Sequence, residues 1–127
     1  MTRRQERLNS RILELLSTSL LSDVDDPRLQ MVELTRVSVN RDASHAMIYF
    51  VSEDEDYSAQ EVEEAFTHAK GFFRGVLAEQ LNLRYTPDLS FRYDDAAIET
   101  QRVLDLFDQI EEERRVNPPV LDETDDV

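Results

Sequence analysis

Positive charge is the scarcest chemistry in this chain and the most informative. Among 127 residues there are 28 Asp or Glu against 14 Lys or Arg, a net charge of −14. The only lysine, Lys70, sits between Ala69 and Gly71, and the only glycines are Gly71 and Gly75. If the chain bends between two helices here, the second helix starts with free backbone N–H groups and the positive end of its dipole. Lys70 and Arg74 then stand beside them, a combination suited to phosphate. A second group, Arg3, Arg4, Arg7 and Arg11, is opposed within Met1 to Arg11 only by Glu6. Basic side chains at a helix start oppose its dipole, so either a partner or plain solvation explains them.

Other chemistries find little support. Without cysteine there are no disulfides, thiolate metal sites or cysteine nucleophiles. His45 falls in a strand and His68 on a helix, and no motif ties either to a serine nucleophile. The block Glu53-Asp54-Glu55-Asp56 lacks the glycine and the terminal glutamate spacing of a calcium loop and reads as a solvated loop. Gly71-x-x-x-Gly75 is not a phosphate loop, because no strand feeds it and no Lys-Ser/Thr pair follows. No catalytic residue, metal site or cofactor is expected. The longest apolar run, Met47 to Val51, is too short to span a membrane, and the basic start is followed by no signal-peptide core. A cytoplasmic monomer is the expectation.

The elements that must carry these residues follow from periodicity. Arg4 to Leu21 reads as an amphipathic helix with Leu8, Ile12, Leu15, Leu16 and Leu20 inward, stopped before Pro27. Met31 to Asn40 is a strand whose apolar parity breaks near Thr35, as a bulge or a late strand start would cause. After the Asn40–Ser44 turn, His45 to Ser52 is apolar on both faces, as in a strand covered on both sides. Ser58 and Glu61 form a capping box opening a helical stretch with Val62, Ala65, Phe66, Ala69, Phe73, Val76, Leu77 and Leu81 on one face. Run straight to Arg84 it would be about 40 Å long, against a diameter of roughly 36 Å for a compact domain of this size. A kink at Ala69–Gly71 resolves the conflict, with Gly71 permitting the bend. Of the adjacent Phe72 and Phe73 at least one turns inward, and core packing is the better reading for the other.

Beyond the kink, Pro87 opens a third strand with Leu89, Phe91 and Tyr93 alternating. Asp94 and Asp95 can cap a last helix carrying Ile98, Val103, Leu106, Phe107 and Ile110 to about Arg115. The order is α-β-β-α-kink-α-β-α: an α+β domain over residues 1–116 with helices packed on a three-stranded sheet. Residues 117–127, rich in acids and prolines, form a disordered tail. RNA-binding KH folds use a related device, a GxxG loop between two helices that clamps the nucleic-acid backbone.

In order and spacing the chain resembles bacterial ribosome-binding factor A. The resemblance rests on Asp26-Pro27-Arg28, Thr35-x-Val37-x-Val39, Arg41-Asp42 and Ala46-x-Ile48-Tyr49-Phe50-Val51. It continues through Ala69-Lys70-Gly71-Phe72-Phe73-Arg74, Leu83-Arg84-x-x-Pro87-Asp88-Leu89-x-Phe91-x-Tyr93-Asp94 and Glu113 to Pro118. It implies a type II KH-like fold in which an AxG kink, here Ala69 and Gly71, replaces GxxG. It also implies a non-enzymatic factor of ribosome biogenesis that binds the free small (30S) subunit, supports late maturation and 5′-end processing of 16S rRNA, and matters in the cold. Lys70 and Arg74 would face RNA beside the kink. By charge alone, Arg3, Arg4, Arg7, Arg11, Arg28 and Arg84 extend that contact.

The net charge is the departure, since phosphate repels acids, and it raises the weight of contacts to ribosomal proteins. Many acids with one lysine also suit a protein adapted to high intracellular salt. The rival class is an acidic interaction module or nucleic-acid mimic, which would lack a basic strip joining the first helix to the kink. A metal-dependent hydrolase built on Glu53 to Asp56 would need an ion there.

Overall fold

The computed structural model describes residues 1–116; the expected acidic tail, 117–127, lies outside them. The elements are α1 (Arg3–Ser22), a 3-10 turn (Pro27–Leu29), β1 (Val32–Val39), β2 (His45–Ser52), α2 (Ala59–His68), α3 (Lys70–Gln80), β3 (Asp88–Tyr93) and α4 (Asp95–Val116). The chain divides into two compact units, Met1–Asp94 and the residues from Asp95 on.

In the first unit, α1 starts at a capping box that periodicity did not single out. Thr2 Oγ1 accepts from Gln5 N at 3.2 Å and Gln5 Oε1 accepts from Thr2 N at 2.9 Å. Ile12, Leu16 and Leu20 are buried, while Leu8 and Leu15 pack at the edge of the core. Two side chains fasten the helix to β1: Gln5 donates to the Val39 carbonyl, and Asn9 Oδ1 accepts from Val39 N. They satisfy the last backbone groups of an edge strand that no further strand covers.

The sheet order is β1-β2-β3, with β1 and β2 antiparallel and β2 and β3 parallel. The parallel step requires a long crossover, supplied by the two helices α2 and α3. The parity break in β1 is a bulge. Leu34 pairs with Phe50 and Arg36 with Tyr49, so Thr35 is the extra residue. Val32 and Leu34 before it, and Val37 and Val39 after it, therefore all face the core. On sequence, β2 is covered on both faces. In the first unit α1, α2 and α3 cover one face only, and outward-facing Met47, Tyr49 and Val51 are half-buried. Being the central strand, β2 tolerates outward apolar residues because both neighbours shield its backbone.

The bend between α2 and α3 is made by Ala69, with φ −89° and ψ 2°, which ends one helix and begins the next. Gly71 is not what permits it. Neither glycine has positive φ, and a Cβ added at Gly71 or Gly75 would meet nothing within 4 Å. Aromatic packing holds the angle instead. Phe66 of α2 stacks on Phe91 of β3, centroids 4.5 Å apart and planes within 6°. Phe50 lies 5.0 Å and Phe73 of α3 lies 6.0 Å from the Phe66 ring. Phe73 takes that inward position, so its neighbour Phe72, about a quarter-turn round the helix, cannot share it. Phe72 is 43% exposed, against the expectation of core packing.

The second unit contains α4. Its Val103, Leu106, Phe107 and Ile110, which repeat at helical spacing, are all exposed. Arg102 pairs with Glu99 and Arg115 with Glu112, each one turn apart. Among the described residues no helix is long and apolar enough to cross a membrane.

Candidate nucleic-acid interface

The first unit sorts its charges by position. At one end lie the start of α1, the Asn40–Ser44 turn, the 83–87 loop and the start of α3. Backbone and side-chain bonds bring them together. Gln5 reaches Val39, Asp88 N donates to Ser44 O at 3.0 Å, and Lys70 Nζ lies 3.5 Å from Asp88 Oδ1. Toward the other end lie the 3-10 turn, the loop 53–57 and the first turns of α2, with Asp26, Glu53, Glu55, Asp56, Glu61 and Glu64.

The kink cations are turned toward the protein. Lys70 pairs with Asp88, whose carboxyl is raised by desolvation. The Leu89 N–H and the Lys70 charge more than offset that, leaving it below the ordinary value. Arg74 Nε donates to the Pro87 carbonyl at 3.2 Å and its terminal nitrogen to the Thr86 carbonyl at 3.3 Å. Arg74 therefore ties α3 to the loop that leads into β3. No side chain caps the start of α3, as the sequence suggested for a phosphate-facing helix end.

The four N-terminal arginines divide. Arg3, Arg7 and Arg11 follow one outward stripe of α1 interleaved with Glu6, Ser10 and Glu14, and Arg11 pairs with Glu14 at 3.4 Å. Arg4 points elsewhere, into a groove shared with Arg41 and Val39. It also borders an adjoining groove of about 340 Å³ lined by Ala43, Leu83, Arg84 and Tyr85. Arg84 lies over the Tyr85 ring at 5.4 Å.

Arg28 is brought to none of these. It makes a two-pronged contact to Asp26, at 3.1 and 2.8 Å, and lines a hollow with Glu63, Glu64 and His68. The Arg28 hydrogen bond holds the Asp26 carboxyl below its usual value, and Asp26 in turn raises Arg28. This pair caps the 3-10 turn, since Asp26 Oδ1 also accepts from Arg28 N at 2.9 Å.

Arg41 and Arg36 are basic residues that charge counting passed over. Arg36 lies 3.6 Å above the Tyr49 ring and 3.3 Å from Asp94 Oδ2, which also accepts from Thr35 Oγ1 at 2.5 Å. Asp94 is 2% exposed, so Arg36 serves a buried carboxylate. Arg41 belonged to a recognisable Arg41-Asp42 turn, but only the fold sets that turn beside Arg4. Among the described residues no cluster of three or more His, Asp or Glu is placed to hold a metal ion.

Comparison with known proteins gives this geometry a family. A family model described as ribosome-binding factor A matches residues 4–107. The ribosome-binding factor A of Syntrophomonas wolfei is 33% identical over 115 residues, covering 89% of this chain and 94% of that protein. The solution structure of a Thermotoga maritima protein, a candidate ribosome binding factor A, is 33% identical. It superposes with a TM-score of 0.63, covering 70% of this chain and 85% of that one. A Thermus thermophilus ribosome binding factor A fitted into a map of a 30S complex has a TM-score of 0.57 at 22% identity. That match covers 68% of this chain and 91% of that one and supports the fold alone.

Proposed function

The chain belongs to the ribosome-binding factor A family, and from that premise we propose that it binds the free small ribosomal subunit. There it assists late maturation and 5′-end processing of 16S rRNA, acting in the cytoplasm as a monomer without catalysis or cofactor. The working part is residues 1–116. A type II KH-like arrangement, with Ala69 and Gly71 at the bend in place of GxxG, accounts for the mixed sheet and the paired helices. Arg3, Arg4, Arg7 and Arg11 on α1, with Lys70, Arg74 and Arg84, form the RNA-facing side; Arg28 belongs to it only by charge. Membership of a family of ribosome-binding factors supports a ribosomal partner here.

The observation that carries this reading is the gathering of cations from α1, the α3 start and the 83–87 loop at one end, where the nearby acids Asp42 and Asp88 are already engaged. An acidic mimic of nucleic acid has no use for such an end. The test is sedimentation of purified protein with free small subunits, whole ribosomes and polysomes. Selective retention by free small subunits is expected. Equal retention by all three, or binding to basic proteins but not to subunits, overturns the proposal.

A further inference from the structure

We propose that the groove between the first turn of α1, the Asn40–Ser44 turn and the 83–87 loop is a binding site for single-stranded RNA. In it Arg4, Arg41 and Arg84 hold backbone phosphates and Tyr85 stacks on a base. The proposal rests on the RNA-binding reading above and relocates its centre from the kink to this groove.

Three observations carry it. First, the kink cations are already engaged by Asp88 and by the Thr86 and Pro87 carbonyls. Arg4 and Arg41, by contrast, have no ion-pair or hydrogen-bond partner among the described residues, and Arg84 has only the Tyr85 ring. Three guanidinium groups from three separate elements thus line two adjoining parts of one groove, Arg41 in one, Arg84 in the other and Arg4 in both, with their charge unspent.

Second, the single acid lining either part of the groove, Asp42, is engaged within its own turn. The Asp42 carboxylate accepts from Ser44 Oγ at 2.7 Å and from Ser44 N at 3.1 Å, and those bonds hold it below its ordinary value. The same bonds, with the Asn40 side chain bonded to His45 N and Ser44 Oγ, consume every polar side chain of the turn except that of Arg41. Ala43, at φ 58°, is in the left-handed region that alanine rarely adopts, and it lines both parts of the groove. Backbone held in a costly conformation persists where its surroundings over-determine it. The result is a rigid turn presenting one cation.

Third, Tyr85 is 72% exposed, a large aromatic left mostly to solvent beside Arg84. Unpaired bases stack on exposed aromatic rings, and paired ones cannot, which selects single strands over duplex. Arg74 then acts as a positioning residue, because its two bonds to the loop carbonyls fix where Arg84 and Tyr85 stand.

The test titrates a fluorescent single-stranded oligoribonucleotide, and in parallel free small subunits, with the full chain and its variants across a range of salt. Arg41→Ser should reduce the salt slope for the oligonucleotide by about 0.7, one phosphate contact on a single strand. Tyr85→Ser should weaken binding about tenfold, and Tyr85→Phe, which keeps the ring, should not. Arg102→Ser, the same charge change on exposed α4, should leave the slope unchanged. All three positions are on the surface, so melting temperatures should match the parent's. If the parent binds subunits but Arg41→Ser and Tyr85→Ser bind RNA as it does, or if the parent binds no oligonucleotide, this site is wrong and the subunit reading stands. A parent that binds neither overturns both.

Discussion

At the scale of single residues, several side chains do work that their type alone would not announce. Gly71 and Gly75 sit on an exposed face of α3 with no positive φ and open space where a Cβ would stand. Each therefore costs helix stability without return inside the protein. Gly71→Ala and Gly75→Ala should each raise stability by up to about 1 kcal/mol, read as melting temperature. A loss at Gly71 would mean that the bend needs glycine after all. Asp26 and Asp88 both have carboxyls below their ordinary value, Asp26 through Arg28 and Asp88 through the Leu89 N–H and Lys70 acting against desolvation. A depressed carboxylate contributes stability that is fully present above the unfolded value of about 4 and lost as pH falls through the folded value. Acid unfolding should therefore begin below about pH 4 for these groups, and Asp26→Asn should flatten that limb of the melting curve against pH. An unchanged limb would show that the Asp26–Arg28 pair is only a surface contact.

At the scale of elements, the angle between α2 and α3 is an aromatic problem. Phe66 and Phe73 come from the two helices and Phe50 and Phe91 from two strands, so one cluster ties both helices to the sheet. Truncating a fully buried phenylalanine removes its burial and leaves a cavity that such a close-packed site cannot collapse into. Phe66→Ala should cost about 3–5 kcal/mol in denaturant unfolding, whereas Phe72→Ala, on the exposed side, should cost well under 1 kcal/mol. Equal costs would mean that the helices are held by the loops and not by this cluster. The bulge at Thr35 does comparable work in β1. It restores inward parity for Val37 and Val39, and it hands the Thr35 hydroxyl to Asp94 at the far edge of the unit.

At the scale of the whole chain, a net charge of −14 and an RNA partner pull in opposite directions under salt. Acids that repel one another are screened by added ions, so the melting temperature should rise from low to high salt. Contacts from arginine to phosphate release counterions, so binding to subunits should weaken over the same range. Opposite signs in one buffer series are the expected outcome. Binding that strengthens with salt would point to an apolar interface instead. Arg28 offers a control within the same series. Because Asp26 engages it away from the other cations, Arg28→Ala should lower stability while leaving the salt slope of binding unchanged.

Much of this protein was determined by local sequence. The helix periods, the Ser58 capping box, the bulge at Thr35 and the order of elements are all set by neighbours within a few residues, which is why a linear reading finds them. The family follows from the same short motifs in the same order. What only tertiary structure decided is where each charge goes. Lys70 and Arg74 look free in sequence, yet Asp88 and the Thr86–Pro87 carbonyls, 12 to 18 residues away, engage them. Arg41 looks incidental until folding sets its turn beside Arg4 and Tyr85. Burial depends on hydrophobic pattern, which is local and repetitive. Ion pairing instead depends on which surface atoms meet after the chain has closed on itself, and that information is distributed over the whole fold.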